Sequence, residues 1–302
     1  MTLPWVAFAV IRIVGLEDGF LVEALAFTPY VAASAIGPVL VAVLLRVWPA
    51  AVLAAVVCAA LLVAVVPRGF GGPTEPVGGE GPTLRVLAAN MEFGRGAPET
   101  LVELAADLDV DALGIEELTP FLAHSLEERG LSELLPHGVV HAKEGPGGIG
   151  LYARFPTGPS RRIQLPGGFP MIEAPVELPG APAIALAAVH TNPPTASRWE
   201  EDLNALPAAE DDPLRIMFGD FNATLDHAAF RDLLGRGYED AAATLGDGLT
   251  PTWPVGRDTL PALFAIDHVL ADERVGIRDF SVHEIAGTDH KAVYAELALP
   301  AG

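Results

Sequence analysis

Leu214-Arg215-Ile216-Met217-Phe218-Gly219-Asp220-Phe221-Asn222 is an apolar run that stops at a carboxylate and a carboxamide two residues apart. A buried strand ending in this way brings both side chains to the rim of a sheet. There an Asp can take a proton from water and an Asn can hold a phosphate oxygen. The same residues also read as a turn whose side chains bond local backbone, so the rest of the chain must decide.

Other runs end in the same manner. Leu84-Arg85-Val86-Leu87-Ala88-Ala89 stops at Asn90, with Glu92 two residues on; Asp111 to Ile115 leads into Glu116-Glu117; Ile184 to Val189 stops at His190-Thr191. Leu263 to Ile266 precedes Asp267-His268, and Gly287-Thr288-Asp289-His290 precedes a strand-like Ala292 to Leu297. Further strand patterns lie at 149–154, 171–177 and 275–283, and helical ones at 98–108, 119–129, 196–206 and 227–235. This mixture fits an α/β fold with two packed, mainly antiparallel sheets and helices outside.

The order Asn90, Glu117, His190, Gly219-Asp220-Phe221-Asn222, Ile266-Asp267-His268, Asp289-His290 resembles the endonuclease/exonuclease/phosphatase superfamily of metal-dependent phosphoesterases. The resemblance covers residues 84–299 and includes Thr250-Pro251-Thr252-Trp253-Pro254. It implies a four-layer α/β sandwich and a hydrolase acting on phosphate esters. It also implies a metal carboxylate in Glu117, with Asn90 and Asp289 contributing and Glu92 assisting. Asp220 would activate water, Asn222 would hold the phosphate or that water, and His190 and His290 would donate to the phosphoryl group, with Asp267 orienting His290. Two positions depart from the family pattern: Ala89 stands where a Trp is usual, and Glu116 where a Gln is usual.

The chemistry accounts for the set. In-line attack on a phosphate ester needs a cation for the charge on the phosphoryl oxygens and a base for the water. Oxygen-rich ligands suit a hard ion, Mg²⁺ first and Mn²⁺ next. Strand alternation turns His268 away from Asp267 and Glu116 away from Glu117. Thr191 reads as a strand terminator. His124, His137, His141, His227 and His283 match no block and read as surface or packing residues, and Gly145-Pro146-Gly147-Gly148 as a hairpin turn.

Residues 1–66 are almost wholly apolar, cut by Arg12, Glu17, Asp18, Glu23 and Arg46 into runs Leu3 to Val14, Phe20 to Leu45 and Val47 to Val66. They predict a multi-pass membrane anchor of two to three helices in the cell membrane, since a bilayer core of about 30 Å takes about 20 apolar residues. Arg46 favours a cytoplasmic loop, which places the following domain outside the cell. Residues 67–83 have Pro/Gly linker composition, so anchor (1–66) and catalytic domain (84–302) read as separate modules. The one cysteine, Cys58, lies in the last apolar run.

Setting aside the five acids and three bases before residue 84 from the chain's 39 and 18 leaves 34 acidic and 15 basic side chains in the domain. Lys143 and Lys291 are its only lysines. Affinity for duplex nucleic acid comes mainly from Lys and Arg on phosphates, so this composition disfavours tight, processive binding. A weakly held nucleic acid, a phospholipid or a small phosphodiester remains as substrate. The alternatives are a phosphomonoesterase and a silent binding domain tethered to the bilayer; no obligate protein partner is implied. Choice of substrate falls to loops around 92–97, 143–148, 156–170 and 240–260.

Overall fold

The computed structural model describes residues 2–210, 212–256 and 261–302; the tip of the expected 240–260 loop, residues 257–260, lies outside the described residues. The chain opens with α1 (Leu3–Val14), α2 (Phe20–Leu25), α3 (Thr28–Ser34), α4 (Ile36–Leu44) and α5 (Trp48–Val65), extended by one 3₁₀ turn over Val66–Gly69. Among the described residues only Trp48–Gly69, 22 residues, is long and apolar enough to cross a bilayer. The expected span Phe20 to Leu45 is instead broken into α2, α3 and α4, with Pro29 and Pro38 withdrawing backbone donors near the breaks. At 1.5 Å per residue α1 reaches about 18 Å, well short of the hydrocarbon core. The multi-pass expectation therefore reduces to one qualifying helix.

The N-terminal helices also contact the domain. Arg12 Nε and Arg68 Nη2 both meet Asp226 Oδ1 at 2.7 Å. Glu17 accepts from the backbone N–H groups of Ala228 and Ala229, and Tyr30 Oη donates to the Leu263 carbonyl at 2.8 Å. The supposed linker is laid along the sheet: Thr74 N donates to Ile277 O at 2.9 Å, and Glu75 pairs with Arg278.

The domain follows as β1 (Glu80–Asn90), α6 (Pro98–Asp107), β2 (Ala112–Glu116), α7 (Pro120–Glu128), α8 (Leu131–Leu134), β3 (His137–His141), β4 (Ile149–Ala153), β5 (Arg161–Gln164), β6 (Pro170–Val176) and β7 (Ile184–His190). After these come α9 (Trp199–Ala205), β8 (Leu214–Asp220), α10 (Ala228–Leu234), β9 (Tyr238–Asp240), α11 (Ala241–Leu245), β10 (Asp267–Asp272), β11 (Gly276–Glu284) and β12 (Lys291–Pro300). Two six-stranded sheets form, β11-β12-β1-β2-β4-β3 and β5-β6-β7-β8-β10-β9. Each has one parallel pair at its centre, β1 with β2 and β7 with β8, and antiparallel neighbours elsewhere. Gly145 to Gly148 turn the β3–β4 hairpin, as expected.

Period-two alternation builds the layers. In β1, Leu84, Val86 and Ala88 join the core between the sheets, while Leu87 and Ala89 join Leu101 of α6 and Leu122 of α7 outside. In β8, Ile216 and Phe218 face inward and Met217 packs outward with Trp199, Leu203 and Phe230 of α9 and α10. Phe218 is fully buried, worth about 1.5–3 kcal/mol. The result is the helix–sheet–sheet–helix sandwich. Ala89 belongs to its outer helix layer, away from the cleft, which confines that departure from the family pattern to packing.

Candidate active site

Asn90, Glu116, His190, Asp220 and Asp267 continue the inward-facing series of β1, β2, β7, β8 and β10. They therefore gather at one mouth of the space whose floor is the inter-sheet core. Register completes the convergence: Asp267 pairs with Asp220 and Asp220 with His190 across one sheet, and Asn90 with Glu116 across the other. His290 arrives on the turn entering β12.

Asn90 Nδ2 links the sheets, donating to Asp220 Oδ2 at 3.0 Å and approaching Glu117 Oε1 at 3.4 Å, while its Oδ1 accepts from Glu92 N. His290 Nδ1 lies 3.1 Å from both oxygens of Asp267. His290 Nε2 is 3.9 Å from Asp220 Oδ2 and 3.7 Å from Asp289 Oδ1, and His190 Nε2 is 3.6 Å from Asp220 Oδ2. Asn222 engages Asp220 directly, its N–H donating to Oδ1 at 2.8 Å and its Nδ2 standing 3.3 Å from Oδ2. Glu92 turns its carboxylate to Arg95 at 3.0 Å and does not join the cluster.

Glu116 and Glu117 separate into core and rim. Glu116 follows strand parity into the sandwich, is fully buried, and neither carboxyl oxygen has a hydrogen-bond partner. Burial, then Asp267 and Asp220, raise its pKa well above the ordinary value, and it sits beneath the site. Glu117 follows the strand at φ 57°, and that left-handed residue swings its carboxylate back to the rim, where Phe93 N–H donates to Oε2 at 2.6 Å. Asn222 is likewise left-handed at φ 47°. Such conformations in non-glycine residues cost about 1–3 kcal/mol and persist where surrounding structure holds them. Gly219, at φ 144°, has no room for a Cβ, which would overlap the Val189 carbonyl oxygen and Glu116 Oε1.

Several supports escaped the sequence reading in detail. Thr252 Oγ1 donates to Asp267 Oδ2 at 2.6 Å while accepting from Ile266 N at 3.1 Å, and Trp253 Nε1 donates to Asp289 Oδ2 at 3.0 Å. The Thr-Trp-Pro resemblance was their signal; the partners were not legible. Thr288 Oγ1 donates to Asn90 O at 2.7 Å, and Thr191 ties β7 to β8 through Phe221 O. His268 points into the outer layer, with Nδ1 2.7 Å from Asp240 and Nε2 2.9 Å from Ala223 O.

Burial, then Asp267, pushes the Asp220 carboxyl up to about 7. His290 reaches about 10 because Asp267 and Asp220 outweigh the cost of its burial. His190 is pushed down to about 3, first by burial and then by His290. Glu117 is raised by burial. Among the described residues the ion-pair partners of Asp220 and Asp267 are histidines only. One ligand atom each from Asp220, Asp267 and His290 lies within 4.8 Å of the others. Buried carboxylates in excess of fixed cations, with amide oxygen beside them, fit a hard divalent ion.

A family model described as endonuclease/exonuclease/phosphatase family matches residues 87–290. Solved structures share the fold: a humanized D. rerio TDP2 carrying 14 mutations (18% identity, TM-score 0.59, covering 71% of this chain and 98% of that one) is one. Others are an endonuclease/exonuclease/phosphatase from Beutenbergia cavernae (16%, 0.58, 72% and 72%) and D. rerio TDP2 complexed with a single-strand DNA product (18%, 0.57, 71% and 98%). A search of curated proteins found no match. With more than half its length matched, and with the sandwich and rim residues in place, the chain belongs to the endonuclease/exonuclease/phosphatase family.

Proposed function

We propose that the protein hydrolyses a phosphodiester by in-line attack of a water activated by Asp220. The carrying observation is the rim cluster of Asp220, Asp267 and His290, bridged to Glu117 by Asn90. A carboxylate titrating near neutrality is suited to general-base work. Asn222 steadies it through two contacts. His290, kept cationic by Asp267, presents Nε2–H to the phosphoryl oxygens, and neutral His190 donates beside it.

Glu117, with Asn90 and Asp289, would hold Mg²⁺ or Mn²⁺. A bound ion supplies charge neutralisation at the phosphoryl oxygens. A diester is favoured over a monoester because a second phosphate charge would face these carboxylates with His290 as the cation beside them. D. rerio TDP2, which has been solved with a single-strand DNA product, makes a weakly bound nucleic acid one substrate to test.

The experiment is an assay of the full chain on methyl p-nitrophenyl phosphate, p-nitrophenyl phosphate, DNA and phospholipid vesicles, with Mg²⁺ or with chelator. Metal-dependent diester turnover is expected; turnover that survives chelation, or none on any substrate, would sink the reading.

We also infer that α5 associates the protein with a membrane. Val52, Leu53, Val56 and Val63 are exposed on it, while Cys58, Leu61 and Val65 pack against neighbouring helices, as for a helix with one lipid-facing side. Resistance to carbonate extraction is the expected result. A reporter fused after residue 302 tests placement of the domain outside the cell.

A further inference from the structure

An apolar cavity of about 430 Å³ opens where the N-terminal helices meet the rim of the sandwich. Its walls come from two sources. Ala26 and Phe27, between α2 and α3, form one side; Pro193, Phe264 and Ile266 of the domain form the other. Asn222 and Trp253 line it as well, and these are the residues that hold Asp220 and Asp289. An aromatic series connects the parts. Phe27 meets Phe264 edge-on at 4.9 Å, Phe264 lies 6.1 Å from Trp253, and Trp253 lies 6.3 Å from His290. Tyr30 Oη, donating to Leu263 O, and His227, whose Nε2 lies 2.9 Å from Val22 O, pin the N-terminal wall to the domain.

Resting on the phosphodiesterase reading above, we propose that this cavity is a substrate subsite for the alkyl or acyl chain of an amphiphilic phosphodiester, whose phosphoryl group sits on the rim cluster. The size is that of a small-ligand pocket, and the lining is mainly apolar, with Asn222 at the catalytic end and Glu23, Thr195, Thr224 and His227 as further polar groups in the wall. Residues 20–27 lie outside the stretch that matches the family, 87–290, so this wall comes from a part of the chain that the family match does not cover. The same N-terminal helices expose Phe20, Leu40, Leu44 and Val56, a surface that suits contact with a bilayer from which such a chain would be drawn. The scarcity of lysine and arginine, which disfavours long polyanions, does not disfavour a lipid phosphodiester with one negative charge on phosphorus.

The test uses the full chain in nanodiscs with methyl, butyl and octyl p-nitrophenyl phosphate, each below its critical micelle concentration. Release of p-nitrophenol is expected to rise in kcat/KM by up to about fourfold per methylene until the cavity is filled. Ala26→Trp and Thr195→Trp, which fill the cavity from opposite walls, are expected to cut the octyl-to-methyl ratio at least tenfold. Two variants guard against misfolding of one. Turnover of all three esters with a flat chain-length profile overturns the subsite and leaves the phosphodiesterase reading standing. A steep profile that both tryptophan variants retain is partition into the nanodisc and also overturns it. As a readout independent of turnover, octylphosphonate is expected to bind the wild-type chain at least tenfold more tightly than methylphosphonate, a ratio the variants lose. Equal affinity of the two phosphonates overturns the subsite even in a chain that turns over no ester.

Discussion

At the residue scale, the site turns on one carboxylate and the glycine before it. Asp220 touches Asn90 and Asn222, pairs with Asp267 across its sheet, and lies 3.6 Å from His190 and 3.9 Å from His290, so few side chains can be exchanged here without loss. Asp220→Asn keeps the shape and removes the base. It should lower kcat by about 10²–10⁴-fold while the melting temperature stays level or rises, because a buried acid among acids is relieved; unchanged kcat would remove Asp220 from the mechanism. Gly219→Ala adds a methyl group where the Val189 carbonyl and Glu116 already stand, at a backbone angle that side chains rarely adopt. A loss of roughly 1–3 kcal/mol in urea unfolding is expected, together with reduced activity. Wild-type stability in this variant would show that the β7–β8 approach is looser than described.

At the element scale, the informative piece is the docking of α2 onto the start of α10. His227 accepts from Thr224 N at Nδ1 (2.8 Å), so Nε2 carries the proton shared with Val22 O. Burial pushes its pKa from 6.5 down to about 4. The folded value lies below the unfolded one, so the unfolded chain takes up the proton first. The contribution is complete above about pH 6.5 and is lost as pH falls toward 4, a change on the order of 3 kcal/mol. Thermal unfolding between pH 7 and pH 4.5 should therefore be steeper in pH for wild type than for His227→Gln; parallel curves would contradict the docking role. Asp226 is the second clasp, buried between Arg12 and Arg68. Asp226→Asn leaves two guanidinium groups poorly compensated and should cost about 3–5 kcal/mol, read by protease sensitivity of the 15–30 segment.

At the scale of the whole molecule, charge and apolar surface act together. The formal charge of −21 repels nucleic acid over the distances that salt screens. Any DNA hydrolysis should then depend weakly on ionic strength between 50 and 200 mM, values typical of such tests, in contrast to the steep loss seen where many phosphates are neutralised. A steep decline in affinity with salt would reveal a basic track that the described residues lack. The strand-end residues were legible one by one, since each closes an apolar run. Their partners were not: Thr252 reaches Asp267 over 15 positions and Trp253 reaches Asp289 over 36, separations at which no local pattern carries information. Three short edge or hairpin strands, β3, β5 and β9, also went unseen, because three to five residues are too few to establish a period.

The sequence alone determined the family, the sandwich and the inventory of polar groups at the strand ends, because period-two alternation and terminating polar residues are local properties of the chain. Tertiary structure decided the rest. Left-handed backbone at Glu117 put its carboxylate on the rim, while Glu116 followed strand parity into the core. Proline breaks divided an apparent span into short helices, and ion pairs bridging more than 150 residues fastened them to the domain. Whether two apolar segments remain apart or enclose a cavity depends on where the fold brings their surfaces, which no window of the chain contains.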